Sequence, residues 1–226
     1  MANLVQLKML ENLHGFLLVD KPVGLAFATV VKTVKRKFNI EKVGHGGSLD
    51  AMASGLLILL LNDANKFVDR VMGADRAYTG TMAFGSTTDT GDRYGRPEPA
   101  PQIAMSVAEA RGDVFQTEPR FCSVRREGSA AYEIADTGEH KQFLAHIYRF
   151  EVGPEGEGRV APFSLLASKG LIVRALARDL GATLTGLRRT AIGKFDVADA
   201  VPFERILELD MKDIPSCVMP LSKALL

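Results

Sequence analysis

The sequence is poor in the residues that build disulfide frameworks and zinc sites. It has two cysteines among its 226 residues, Cys122 and Cys217, which lie far apart and form no CxxC pair. Its four histidines show no HExxH spacing. The sequence therefore predicts no metal site, and we interpret both cysteines as reduced thiols, which is typical of a cytoplasmic protein.

Long apolar runs and a large net charge are missing as well. The longest strongly apolar stretch, residues 56–61, is far too short to cross a bilayer. The first ten residues do not have the pattern of a signal peptide. A formal net charge of +1 argues against a protein that coats nucleic acid through bulk electrostatics. We expect a soluble protein without a membrane partner.

Basic residues are nevertheless clustered in three places. The clusters are Lys32, Lys35, Arg36, Lys37 and Lys42; Arg125 and Arg126; and Arg188 and Arg189. Each cluster taken alone is compatible with solvated surface charge or with a local face for RNA.

Composition and periodicity together predict the fold class. Hydrophobic residues make up 46% of the chain and charged residues 24%, which fits one globular domain spanning residues 1–226. The predicted helices are 29–38, capped by Thr29, 66–71, 107–115, 172–184 and 203–209. The predicted strands are 56–61, 78–84 and 187–195. Because these elements lack regular βαβ spacing, we expect an α+β fold with a mixed, largely antiparallel central sheet flanked by helices and long loops. We expect a flexible insertion around 125–158.

A glycine-rich turn is the most informative segment. In KVGHGGSLDAMASG, Lys42–Gly55, three glycines in four positions allow backbone angles that side chains forbid, and Asp50 ends the turn. The segment lacks the GK[ST] ending of a phosphate-binding loop and the GxSxG pattern of a serine hydrolase. Asp50 therefore either presents its carboxylate for function or merely caps the next element.

The same segment resembles the TruB family of pseudouridine synthases, in which a GHxGxLD turn carries the catalytic aspartate. Three further stretches resemble other motifs of that family in the same order. They are VDKPVG at 19–24, RAYTGTMAFGSTTDTGDRYG at 76–95, and the pair SKGLIVRALARDLG and LRRTAIGKF at 168–195. The resemblance thus extends from about residue 15 to residue 195.

The resemblance implies catalytic roles for three residues. Asp50 is the carboxylate that acts on the flipped nucleotide, as nucleophile or as proton acceptor at the sugar. Tyr78 stacks on the flipped base and assists proton removal, unless it is a core tyrosine. Arg174 pairs with Asp50 and has Asp92 as a further partner, unless it is an ordinary surface arginine.

The resemblance also implies substrate-binding roles. His45 fills the place that the flipped nucleotide leaves. Lys21 lies near the pocket, with backbone or phosphate as its partner. Leu187 is either an apolar wall of the uracil pocket or part of the core. Arg188 and Arg189 contact phosphates, or one of them supports the fold.

The function that the resemblance implies is isomerisation of a flipped-out uridine to pseudouridine, at position 55 in the T-loop of tRNA. It implies no cofactor, no metal, a monomer and a cytoplasmic location. Two alternatives stay open. One is a non-catalytic RNA-binding or tRNA-folding protein that keeps the pocket, and the other is a pseudouridine synthase for a different RNA or with a guide RNA.

The sequence departs from the family pattern at several positions. Gly46 and Ser48 replace threonine and alanine, Ala51 replaces proline, and Ile172 stands where the third motif usually has tyrosine. Many family members also continue into a C-terminal RNA-binding domain of PUA type, which we do not expect here. RNA would then be recognised through the basic segment 32–42 and the insertion.

Overall fold

The computed structural model describes residues 13–99, 104–119 and 142–224. The strands are β1 (Gly15–Lys21), β2 (Val43–His45), β3 (Ser54–Leu61), β4 (Arg76–Phe84), β5 (Thr87–Thr88), β6 (Pro97–Glu98), β7 (Gly112–Thr117), β8 (Gln142–Val152), β9 (Val160–Ala167), β10 (Ala182–Ile192), β11 (Phe195–Asp196), β12 (Val201–Pro202) and β13 (Val218–Met219). The helices are α1 (Phe27–Lys37), α2 (Val68–Met72), α3 (Val173–Asp179), α4 (Phe203–Glu208), α5 (Ile214–Cys217) and α6 (Leu221–Ala224). The fold is α+β with a large, mostly antiparallel sheet and few helices, as the sequence predicted.

The chain divides into two compact units. The first combines residues 1–74 with residues 189–226, and the second is formed by residues 75–188. Strand β10 begins in the second unit, and its residues 189–192 belong to the first. The first unit therefore contains the glycine-rich turn, and the second contains the motifs around Tyr78 and Arg174.

Strands β1 and β3 form the centre of the first unit. They pair antiparallel from Gly15 opposite Leu61 to Lys21 opposite Gly55. Strand β2 joins β3 antiparallel, β12 joins β1 in parallel, and β13 pairs antiparallel with β1. This pairing places the end of β1 beside the start of β3.

Strand β3 is buried on both faces, which explains its uninterrupted apolar sequence. On one face of β3, Leu57, Leu59 and Leu61 belong to the core cluster that also contains residues of α1. On the other face, Leu56, Ile58 and Leu60 belong to a second core cluster, which also contains Phe16 and Val71. The predicted strand 56–61 is confirmed and begins two residues earlier, at Ser54.

Helix α1 begins before the residue that the sequence predicted as its cap. It spans Phe27–Lys37, its N-cap is Ala26, and no side chain caps it, so the assignment of Thr29 as the cap is wrong. Phe27 packs against the first core cluster, and this packing extends the helix toward its N-terminus. The basic residues of its last turn lie where the helix dipole favours positive charge.

The sheet of the second unit has the order β10-β4-β9-β8-β7. Strand β4 confirms the predicted strand 78–84 and begins two residues earlier, at Arg76. It pairs antiparallel with β9, with Tyr78 opposite Leu165. Tyr78 and Met82 are buried and Thr79 is exposed, as expected from the alternation along the strand.

Two predicted helices of the second unit are wrong in whole or in part. Residues 112–115 of the predicted helix 107–115 instead belong to strand β7, in which Val114 and Gln116 are buried and Phe115 is 73% exposed. The predicted helix 172–184 ends as α3 at Asp179, because Gly181 adopts a φ of 67° and the chain enters β10.

The predicted insertion around 125–158 lies only partly within the described residues. Its residues 125–141, with Arg125 and Arg126, fall outside them, as does Cys122. From Gln142 to Val152 the chain forms strand β8, which pairs antiparallel with β7 and β9. Within the described parts of the chain, no helix has the length and hydrophobicity needed to cross a membrane.

Candidate functional site

The turn that carries Asp50 is tied to β3 at its entrance. His45 ends β2, and the next residue, Gly46, donates its N–H to the carbonyl of Ile58, 2.8 Å away. At its exit, the carbonyl of Asp50 accepts the N–H of Ala53 at 3.1 Å, immediately before β3 begins. Asp50 itself is half-buried. The backbone of the turn therefore holds this carboxylate in a defined position.

Lys21, at the end of β1, is fully buried in the first unit. Its Nζ donates to the carbonyls of Pro22 and Leu25, each at 2.8 Å. Burial lowers the pKa of Lys21 to about 8; the negative charge of Asp50 opposes this shift, and the positive charge of Arg189 adds to it. The sequence left open whether the partner of Lys21 is backbone or phosphate, and in the structure its ammonium group bonds to backbone carbonyls.

The lowered pKa of Lys21 predicts a dependence of stability on pH. The folded pKa of about 8 lies below the ordinary value of 10.5, so the unfolded chain binds more protons between these values. The contribution of Lys21 should therefore raise the free energy of unfolding as pH rises from 8 to 10.5. The Lys21→Met variant should lack this rise. Urea midpoints at pH 7.5 and pH 10 measure it.

The control for the Lys21 prediction is Lys32→Met, which alters an exposed lysine of α1 in the same unit. This variant should follow the wild-type pH dependence. A Lys21→Met protein whose urea midpoint changes with pH in parallel with the wild type would contradict the prediction.

Arg189 braces the turn from both sides of Asp50. Its side chain is buried, with 1% of the residue exposed. Nε donates to the carbonyl of Leu56 at 2.8 Å, Nη1 to that of Ser48 at 2.9 Å and Nη2 to that of Gly47 at 3.2 Å. Of the two roles that the sequence left open for Arg189, the structure shows support of the fold.

Gly55 allows the chain to pass close to Arg189. Its φ is +103°, and a Cβ at this position would lie 2.2 Å from the carbonyl oxygen of Arg189. A larger residue would therefore separate the start of β3 from the arginine that braces the turn.

A hydrogen bond and a ring contact within the first unit restrain His45. Its Nδ1 accepts the N–H of Gly47 at 3.3 Å. Its ring lies against that of Phe27, with the ring centroids 4.9 Å apart and the planes at 59°. The sequence analysis did not single out Phe27; the available signal was an aromatic residue next to a helix with a basic polar face.

In the second unit, the loop after β5 packs against Arg174 of α3. Nη1 of Arg174 donates to the carbonyl of Thr90 at 2.9 Å. Gly91, with a φ of +74°, approaches so closely that a Cβ would lie 3.2 Å from the carbonyl oxygen of Arg174. Arg174 is 7% exposed, so its interpretation as an ordinary surface arginine is wrong.

Asp92 organises the same loop. Its Oδ1 accepts the hydroxyl of Thr90 at 3.0 Å and the backbone N–H of Tyr94 at 2.9 Å. Asp92 is 8% exposed and forms a parallel bridge with Leu184 of β10. Through this loop, the TDTGD motif contacts both α3 and β10.

Gln116 of β7 fixes the residue that precedes α3. It is 1% exposed. Its Nε2 donates to the carbonyl of Ile172 at 3.2 Å, and its Oε1 accepts the N–H of Ile172 at 2.9 Å. Gln116 therefore fixes the residue before the helix of Arg174. The sequence contained no indication of this role, because a single glutamine carries no signal of its own.

A pocket of about 150 Å³ lies beside α3 in the second unit. Its lining includes Arg174 and Arg178 together with Asp89, Glu98 and Glu118. Its wall therefore contains both cationic and anionic side chains.

Tyr78 and Leu187 are both buried within the second unit, at 7% and 9% exposure. Burial is compatible with a pocket wall and with core packing, so their roles stay predictions. Among the described residues there is no group of three or more His, Cys, Asp or Glu side chains that could hold a metal ion.

Comparisons of the sequence with known proteins all match one family. Residues 35–171 match the family model described as TruB family pseudouridylate synthase (N terminal domain). A protein of Opitutus terrae named tRNA pseudouridine synthase B is 33% identical over 235 aligned positions, which cover 95% of each chain. Proteins of the same name from Neisseria meningitidis and Aromatoleum aromaticum are 33% and 39% identical; the matches cover 92% and 83% of this chain, and 72% and 66% of those proteins.

Solved structures give the same fold. A chain from a crystal structure of a Cbf5-Nop10-Gar1 complex superposes with a TM-score of 0.67 at 26% identity, covering 96% of this chain and 63% of that one. A chain from the archaeal box H/ACA sRNP Nop10-Cbf5 complex gives 0.64 at 24% identity, with the same coverage. This chain therefore spans less than two thirds of the length of those solved chains.

Proposed function

Since this chain belongs to the TruB family of pseudouridylate synthases, we propose that it converts a uridine of tRNA into pseudouridine, with Asp50 as the catalytic carboxylate. The proposed target is uridine 55, in the T-loop of the T-arm. Bases in such a loop can be reached one at a time, unlike those of a duplex.

The observation that carries the proposal is the environment of Asp50. Its turn is tied to β3 and braced by Arg189, and its charge interacts with that of the buried Lys21. A carboxylate held in a defined position meets the geometric demand of catalysis at a single nucleotide. The relatives named tRNA pseudouridine synthase B support tRNA as the substrate.

The proposed reaction requires little beyond this carboxylate and an extruded base. The bond between C1′ of the ribose and N1 of uracil breaks, and a bond between C1′ and C5 forms. C5 loses its hydrogen as a proton and N1 gains a proton, so the reaction is redox-neutral and the product is an isomer. Asp50 acts at the sugar, as nucleophile or as proton acceptor.

The remaining site residues keep the roles that the family resemblance implies. Tyr78 stacks on the extruded base, Leu187 forms an apolar wall of the uracil pocket, and His45 fills the gap in the RNA. Lys21 has the role of the family's lysine near the pocket. The pairing of Arg174 with the catalytic carboxylate, and the part of Asp92 in it, stay predictions.

The direct test is conversion of an unmodified tRNA transcript by the purified protein, with EDTA present and no nucleotide added. We expect one pseudouridine per transcript, at position 55, and none in a transcript that carries cytidine at this position. Sequencing that maps pseudouridine base by base measures both. Conversion of another RNA or another position would change the target, and binding without any conversion would contradict the enzymatic proposal.

A further inference from the structure

We propose that Phe27 is a positioning residue for His45, whose ring it holds ready to occupy the gap left in the RNA by the extruded uridine. This inference rests on the proposed function and deepens it, because it adds a residue to the part of the site that contacts RNA. The juxtaposition that carries it is the contact between the two rings, 4.9 Å apart in the first unit.

The backbone of His45 is fixed before its side chain is considered. His45 is the last residue of β2 and pairs with Leu59 of β3. The N–H of the next residue, Gly46, donates to Ile58. The bond from the N–H of Gly47 to Nδ1 of His45 then restrains the imidazole, because only a ring with its proton on Nε2 accepts at Nδ1.

Phe27 supplies a further restraint on the ring of His45. It is the first residue of α1, it is half-buried, and it packs against the core cluster that contains Val30 and Val34 of the same helix. Its ring is therefore anchored on the core while it contacts His45. The centroid distance of 4.9 Å and the angle of 59° lie within the range that aromatic pairs prefer.

A fixed imidazole matters because extrusion of a base costs stacking energy. A ring that takes the empty place restores part of this energy, and a ring that is already ordered loses less conformational entropy when RNA arrives. Without Phe27, more of this ordering would have to occur in the step in which the uridine leaves the stack. The expected defect is therefore in conversion more than in RNA affinity.

The test uses two substitutions of Phe27 and one matched control. Phe27→Leu keeps an apolar side chain against the core and removes the ring, whereas Phe27→Tyr keeps the ring. Phe67→Leu is the control, because Phe67 is also half-buried in the first unit and also belongs to an aromatic pair, with Phe16 at 6.4 Å. Each variant is assayed for Tm, affinity for a T-arm stem-loop and single-turnover conversion of this RNA.

Phe27→Leu should lower the single-turnover rate constant about 3- to 10-fold, which is the range that an aromatic pair supplies. Its Tm should change as in Phe67→Leu, and its RNA affinity by less than about twofold. Phe27→Tyr and Phe67→Leu should stay within about twofold of the wild-type rate. A rate for Phe27→Leu within twofold of wild type would overturn the proposal.

A double-mutant cycle separates positioning from an independent effect. If Phe27 acts through His45, the variant with both Phe27→Leu and His45→Ala should convert RNA no more than about twofold slower than His45→Ala alone. Losses that multiply in the double variant would overturn the proposal while leaving the function in place. A wild-type protein that converts no tRNA would instead remove the proposed function, and the inference with it.

Discussion

Asp50→Asn is expected to abolish conversion of uridine while the protein still binds tRNA. The substitution keeps the size of the side chain and removes its negative charge, so the amide can act neither as nucleophile nor as proton acceptor at the sugar. We expect the single-turnover rate constant to fall by about a thousandfold or more, at the upper end of what one positioned acid or base contributes. Rapid mixing with a T-arm substrate, followed by quantification of pseudouridine, measures the loss.

The matched control is Asp63→Asn, which removes an exposed carboxylate of the same unit that pairs with Lys66 at 2.9 Å. This variant should keep the wild-type rate. Full activity of Asp50→Asn would remove the assigned role of the carboxylate. Equal RNA binding by the wild type and Asp50→Asn, with conversion by neither, would favour the alternative of a tRNA-folding protein without turnover.

The parts of the fold that the sequence predicted are those in which a local pattern matches the tertiary environment. Strand β3 is an apolar run between glycine and asparagine, and burial on both faces is the environment that such a run requires. Strand β4 alternates because only one of its faces is buried. In both cases the residues that form the pattern are also those that pack.

The failures lie where a short apolar pattern fits two periods. Val107, Ala110, Val114 and Phe115 have helical spacing, but in β7 it is Val114 and Gln116 that face inward, while Phe115 is exposed. Leu184 likewise continues the periodicity of α3 and is buried in β10 instead. Over a segment of fewer than about ten residues, the same apolar positions can fit a helix or a strand. Tertiary packing therefore decides which of the two forms.

The candidate site shows a similar division. The resemblance predicted Asp50 and Lys21, and the structure shows that their charges interact within the first unit. It did not predict the contacts that hold parts of each unit in place. In the first unit, Arg189 donates to the turn that carries Asp50, and Phe27 contacts the ring of His45. In the second unit, Gln116 bonds to the backbone of Ile172. A long-range contact of this kind leaves no local pattern, so a single sequence does not reveal it.

Arg189→Met is expected to cost the most stability of any substitution considered for this protein. The methionine fills part of the volume, but the carbonyls of Gly47, Ser48 and Leu56 lose their donor inside the first unit. Each unpaired buried carbonyl costs roughly 1–3 kcal/mol, so we expect a loss of about 3 kcal/mol or more in the free energy of unfolding. Urea unfolding at pH 7 measures it, with Arg36→Met, at an exposed position of α1, as the control.

Arg189→Lys distinguishes the geometry of the guanidinium from its charge. A lysine keeps the positive charge beside Lys21, but its single ammonium cannot reproduce the planar fork that reaches carbonyls on both sides of Asp50. We therefore expect a stability between those of the wild type and Arg189→Met, and a slower conversion rate than that of the wild type.

Arg189→Met should also raise the pKa of Lys21 toward 10.5, because the neighbouring positive charge is lost. The pH range over which Lys21 changes the free energy of unfolding should then begin above pH 8 and still end near 10.5. Equal urea midpoints for Arg189→Met and Arg36→Met would show that the brace does not stabilise the turn.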